Sequence, residues 1–101
     1  MERQAGTTPQ ERASMRACLA PPLGMRDAFR MHYPAATGCY TYWSQRARNR
    51  PLNRGLRLDY FLLGRHFPAD GLLGVQHLPH VAGSDHCPIA LEIDLARLGV
   101  R

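Results

Sequence analysis

The sequence predicts an α/β chain of the α+β-like kind. Two helical patterns come first, before residue 34. From residue 39 onward the pattern is mostly β. The best strand is expected over Leu56–Leu63, and an alternating one closes the pattern: behind Gly83-Ser84-Asp85-His86-Cys87-Pro88, residues Ile89, Leu91 and Ile93 alternate with Ala90 and Glu92. With 101 residues, 45% of them hydrophobic, the chain is one domain or a piece of one and can build a core.

The elements follow in order. Residues 1–6 read as a flexible lead-in to a domain over 7–95, with 96–101 as a tail. Thr8 and Glu11 form a capping box around Pro9, which opens a helix carrying Met15, Cys18 and Leu19; Pro21-Pro22 ends it. A second short helix is expected over Met25–Met31 and closes at Tyr33-Pro34, because the residue before a proline avoids helical angles. Thr37-Gly38 is a turn, and Cys39–Trp43 is β-favouring. A basic loop from Gln45 to Gly55 contains Arg46, Arg48, Arg50 and Arg54. Leu56–Leu63 reads as a central strand, apolar on both faces at Phe61-Leu62-Leu63. Leu72–Leu78 and Pro88–Leu95 complete the strands, in one mixed or antiparallel sheet with the helices beside it.

Composition narrows the function. All 13 basic residues are arginine, and the formal charge is +5. Arginine suits bidentate phosphate contacts, although a GC-rich genome also encodes arginine freely. Three widely spaced cysteines, Cys18, Cys39 and Cys87, form no CxxC pair, so neither a zinc site nor a disulfide framework is indicated and an intracellular setting is expected. No apolar run approaches the length of a membrane span, and no targeting segment is visible, so no membrane partner is expected.

The chemistry gathers at the opening stretch. Asp85 and His86 place a hard oxygen ligand beside a group that titrates near neutrality, on a loop held by the strand behind it. Asp59, on an apolar strand, needs a partner, because an unpaired buried carboxylate is costly. An acid that orients an imidazole fixes its tautomer, so Asp59 and His86 would satisfy each other. His32, His66, His77 and His80 read as surface or incidental, and Cys87 as a small packed residue.

These motifs resemble the C-terminal part of the class II abasic-site endonucleases, the exonuclease III branch of the endonuclease/exonuclease/phosphatase superfamily. The matching segments are Thr8–Arg12, Asp27–Arg30 with Tyr33-Pro34, Tyr40–Trp43, Gly55–Leu63 and Gly83–Ile89, in family order. Ser84-Asp85-His86 alone is shared with DNase I-like nucleases and with phosphoesterases of lipid or nucleotide phosphates. The Tyr-Trp and Arg-Leu-Asp-Tyr segments speak for the abasic-site branch. The resemblance implies the C-terminal half of a two-sheet, four-layer α/β sandwich of the DNase I-like type. It also implies base excision repair: Mg²⁺- or Mn²⁺-dependent hydrolysis 5′ to an abasic site in double-stranded DNA, with a 3′-exonuclease activity, and a nuclear location in a eukaryote.

Residue by residue, the resemblance makes His86 and Asp59 catalytic and Asp85 a metal ligand. Tyr42, Trp43 and Leu58 would wall the pocket for the flipped-out sugar. Arg46, Arg48, Arg50, Arg54 and Arg57 would face the DNA backbone. Leu56 departs from the pattern, standing where animal relatives have tryptophan. The family's metal-binding glutamate, a tyrosine and an Asp-x-Asn pair have no counterpart ahead of the first helix. The expectation is therefore a fragment with little nuclease activity alone, poor Mg²⁺ binding, and an uncovered sheet face prone to association. A non-catalytic DNA-binding module using the arginine loop is the alternative.

Overall fold

Helix α1, Pro9–Leu19, starts at the expected cap: the Glu11 N–H donates to Thr8 Oγ1 at 3.2 Å, and the Thr8 hydroxyl returns a 2.8 Å bond to the Glu11 carboxylate. The computed structural model describes residues 8–99, so the expected lead-in and the last two residues of the tail lie outside it. Met15 and Cys18 are half-buried, and no residue of α1 is fully buried.

The second helix is shorter and later than expected. Arg26–Asp27 forms β1, and α2 runs over Ala28–His32. Asp27 decides this boundary: it is extended, and its Oδ1 accepts the Arg30 N–H at 3.3 Å, so it caps the helix instead of joining it. β1 pairs antiparallel with β2, Leu62–Leu63.

The expected central strand over 56–63 is also corrected. Only β2 and a single bridge at Leu56 are regular. Between them the Leu58 and Asp59 N–H groups donate to the Thr41 hydroxyl, at 3.0 and 3.1 Å, where a strand would use a neighbour's carbonyls. The expected strand over 39–43 likewise reduces to bridges from Tyr42 to Leu56 and to His86.

The last two strands match the sequence closely. A 3₁₀ turn, Ala69–Gly71, leads into β3, Leu72–His77, which pairs antiparallel with β4, Ile89–Ile93. A register shift between Leu72 and Gly74 leaves Leu73 exposed. Along β4 the burial alternates as predicted. The described residues thus form two separate two-stranded sheets where one sheet was expected. The core lies between α2, β2 and β3. Ala28, Phe29, Trp43, Leu63, Val75 and Cys87 are buried, each large apolar side chain contributing about 1.5–3 kcal/mol over exposure.

Candidate active site

Two backbone bonds hold the loop at residues 85–87. The Trp43 N–H donates to the Asp85 carbonyl at 3.0 Å, and the Cys87 N–H donates to the Thr41 carbonyl at 2.8 Å. Between them, His86 donates its own N–H to Ser84 Oγ at 3.1 Å. Gly83, at φ 122°, makes the turn that a side chain would resist.

His86 Nδ1 lies 2.7 Å from Asp59 Oδ2. An ionised carboxylate only accepts, so Nδ1–H donates this bond, and in the neutral ring that leaves the lone pair on Nε2. The His86 and Asp59 side chains are 42% and 36% exposed, so the pair is open to solvent. Asp59 is therefore not the buried acid that the sequence implied. The Tyr42 ring sits 5.2 Å from the imidazole.

Thr41 organises this pair, and sequence reasoning missed it. It is wholly buried. Its carbonyl anchors Cys87, and its hydroxyl accepts the Leu58 and Asp59 N–H groups. One residue thereby fixes both partners. The available signal was a small hydroxyl residue inside an otherwise aromatic run.

The three expected wall residues do not meet. Tyr42 lines a cavity of about 470 Å³ with Asn49, Arg54 and Leu56. Trp43, only 3% exposed, faces a cavity of about 660 Å³ among Phe29, Tyr33, Val75, His77 and Leu78. Leu58 lines a third, of about 440 Å³, against Met15 of α1. Adjacent residues of an extended segment point to opposite faces, so Tyr42 and Trp43 diverge.

The expected arginine face divides in the same way. Arg46, Arg48 and Arg54 are exposed. Arg57 is half-buried: it pairs with Asp27 at 2.6 Å and lies over the Phe29 and Tyr60 rings. Arg50 spends its guanidinium on backbone carbonyls.

His77 is not incidental. It stacks on Phe29 with ring centroids 4.1 Å apart, and its buried Nδ1 has no partner. Burial holds its pKa below 6.5, and the Arg57 cation adds to that. Burial likewise pushes the Cys87 thiol up, as suits a packed residue.

A divalent ion fits this donor set poorly. The Asp85 carboxylate accepts from the Ser84 hydroxyl at 3.4 Å, and among the described residues no group of three His, Cys, Asp or Glu side chains could hold a metal.

An exposed acid-oriented imidazole on this α/β scaffold belongs to the DNase I-like class of folds. A Leishmania major AP endonuclease structure superposes at a TM-score of 0.77 with 41% identity, over 85% of this chain and 25% of that one. Within that class the chain belongs to the exonuclease III-type family of AP endonucleases, as a stretch of it. It is 37% identical over 94 residues to a Dictyostelium discoideum DNA-(apurinic or apyrimidinic site) endonuclease, covering 93% of this chain and 26% of that protein. It is 37% identical over 91 residues to a Bacillus subtilis exodeoxyribonuclease, covering 90% of this chain and 35% of that one. The chain thus spans about a quarter to a third of these relatives' length. No protein-family model matches it. Among the described residues no helix is long and apolar enough to cross a membrane.

Proposed function

We propose that the chain supplies the acid–imidazole side of a DNA phosphodiesterase site acting 5′ to abasic sites, with 3′-exonuclease activity, in base excision repair. The observation that carries this is the 2.7 Å bond between His86 and the Asp59 carboxylate, open to solvent beside Tyr42. Double-stranded DNA containing an abasic site is the substrate, as the relatives' names support. An intracellular setting, nuclear in a eukaryote, goes with it.

In this reading His86 Nε2 faces the scissile phosphate. It takes a proton from water or donates one to a phosphate oxygen, while Asp59 holds the ring and steadies its cationic form. Arg46, Arg48 and Arg54 meet backbone phosphates. Tyr42 borders the sugar. Asp85 would be one ligand of a Mg²⁺ or Mn²⁺ ion whose other ligands come from outside the described residues, and charge neutralisation at the phosphate is the chemistry such an ion would supply. The chain alone is therefore expected to incise weakly. Its exposed apolar groups, Leu23, Leu52 and Leu73 among them, favour self-association, which light scattering after size exclusion reads out.

A chimera tests the proposal. Residues 8–99 replace the matching stretch of the Bacillus subtilis exodeoxyribonuclease, and a tetrahydrofuran-containing duplex is incubated with it and Mg²⁺. Incision is expected, and His86→Ala should lower it by about 10²-fold or more. A His86→Ala chimera that incises as well as its parent would overturn the reading.

A further inference from the structure

We propose that Arg50 is a positioning residue: it pins the connection between β3 and β4 and so holds His86 on Asp59. This rests on the reading of His86 and Asp59 as the reacting pair.

The guanidinium reaches across about 30 residues of chain. One terminal nitrogen donates to the Ser84 carbonyl at 2.9 Å; the other donates to the Pro79 and Val81 carbonyls, both at 2.8 Å. All three acceptors lie on the connection that ends at Asp85-His86. The guanidinium carbon sits 4.6 Å from the Trp43 ring centroid, a cation–π contact on one face. Trp43 is fixed in turn: its ring N–H donates to Asn53 Oδ1 at 3.1 Å, and its backbone N–H donates to the Asp85 carbonyl.

The connection needs such a pin. Val81, Ala82, Gly83 and Ser84 are exposed, and Gly83 adopts a backbone conformation that other residues resist. Charge-assisted bonds to three carbonyls replace the packing that the segment lacks. The same bonds direct the Arg50 head toward protein carbonyls, so the phosphate contact expected of it from sequence falls to Arg46, Arg48 and Arg54. Lysine cannot reproduce the arrangement. Its ammonium is a point charge with no planar fork to span the three carbonyls and no flat face to stack on Trp43.

Arg50→Lys and Arg50→Met in the full chain distinguish a pin from a phosphate contact. Amide hydrogen exchange is followed at His86 and Cys87, with Val75 and Leu91 in β3 and β4 as internal references. A pin predicts exchange at His86 and Cys87 rising about tenfold or more in both variants, with the references unchanged. Binding to the tetrahydrofuran duplex should keep its salt dependence. In the chimera, Arg50→Lys should lower kcat while leaving KM within about twofold. Normal protection at His86 and Cys87 in Arg50→Lys, or a salt slope falling by about one in Arg50→Met, would overturn the pin in favour of a phosphate contact. Loss of protection in β3 and β4 together with the loop would overturn it as well, since the effect would be global. The exchange arm needs no activity, so an inactive chimera would count against the proposed function and leave the pin to be judged by exchange.

Discussion

The Arg57 guanidinium closes on the Asp27 carboxylate at 2.6 Å, with side-chain exposures of only 17% and 12%. Asp27 divides its oxygens: Oδ2 meets Arg57, and Oδ1 caps α2 through the Arg30 N–H. The pair ties the segment before β2 to the start of α2.

Removing one member of a mostly buried pair strands the other charge. Arg57→Met is therefore expected to cost about 2–4 kcal/mol in urea denaturation, near the 3–5 kcal/mol typical of such breaks. The Asp59–His86 pair is more than a third exposed, so Asp59→Asn should change stability by less than about 1 kcal/mol. A large loss for Asp59→Asn would mean that this pair, too, is structural.

Thr41 receives two N–H groups through one buried hydroxyl. Thr41→Val keeps the shape and removes the acceptor, leaving the Leu58 and Asp59 N–H groups unpaired. The expected cost is about 2–4 kcal/mol. In NMR spectra the Leu58 and Asp59 amides should lose exchange protection; unchanged protection would refute the assignment.

Gly55 is needed for space. A Cβ there would lie 2.4 Å from the Tyr42 carbonyl oxygen and 2.7 Å from the Trp43 ring. Gly55→Ala must displace backbone beside the Tyr42–Leu56 bridge, at a cost of about 1–3 kcal/mol or more. A thermal midpoint equal to that of the parent would show that the segment yields.

His77 makes stability depend on pH. Burial lowers its folded pKa below the unfolded value of 6.5; the Arg57 cation adds to this, and Asp27 and Asp59 oppose it. Below 6.5 the unfolded chain takes up a proton that the folded chain refuses. Stability is then full above that pH and declines as pH falls through the folded pKa. His77→Phe keeps the stack on Phe29 and removes the titration. Its urea midpoint should vary less than the parent's between pH 7.5 and 5.5, scanned in steps of about half a unit around the ordinary histidine pKa. Equal slopes in parent and variant would rule out His77 as the group responsible.

Local chemistry was legible where an element makes its own bonds. The Thr8–Glu11 box, the Pro21-Pro22 stop, the Gly38 turn and the alternation of Ile89, Leu91 and Ile93 all depend on residues a few positions apart. Asp27 failed this test because its extended conformation comes from pairing with Leu62, far along the chain. Leu56–Leu63 failed because a side-chain hydroxyl takes the place of a neighbouring strand.

Residue order alone was enough for the α/β character, the boundaries of α1, β3 and β4 to within two residues, the family resemblance, and the pairing of Asp59 with His86. Each is written in periodicity, capping or motif order. Tertiary structure alone decided that Thr41 carries that pair, that Tyr42, Trp43 and Leu58 face three different cavities, and that Arg50 and Arg57 bind protein groups while Arg46, Arg48 and Arg54 stay exposed. The reason is physical: an arginine or a threonine has the same local signature wherever it points, and its partner lies 15 or more residues away, where only the folded chain brings the two together.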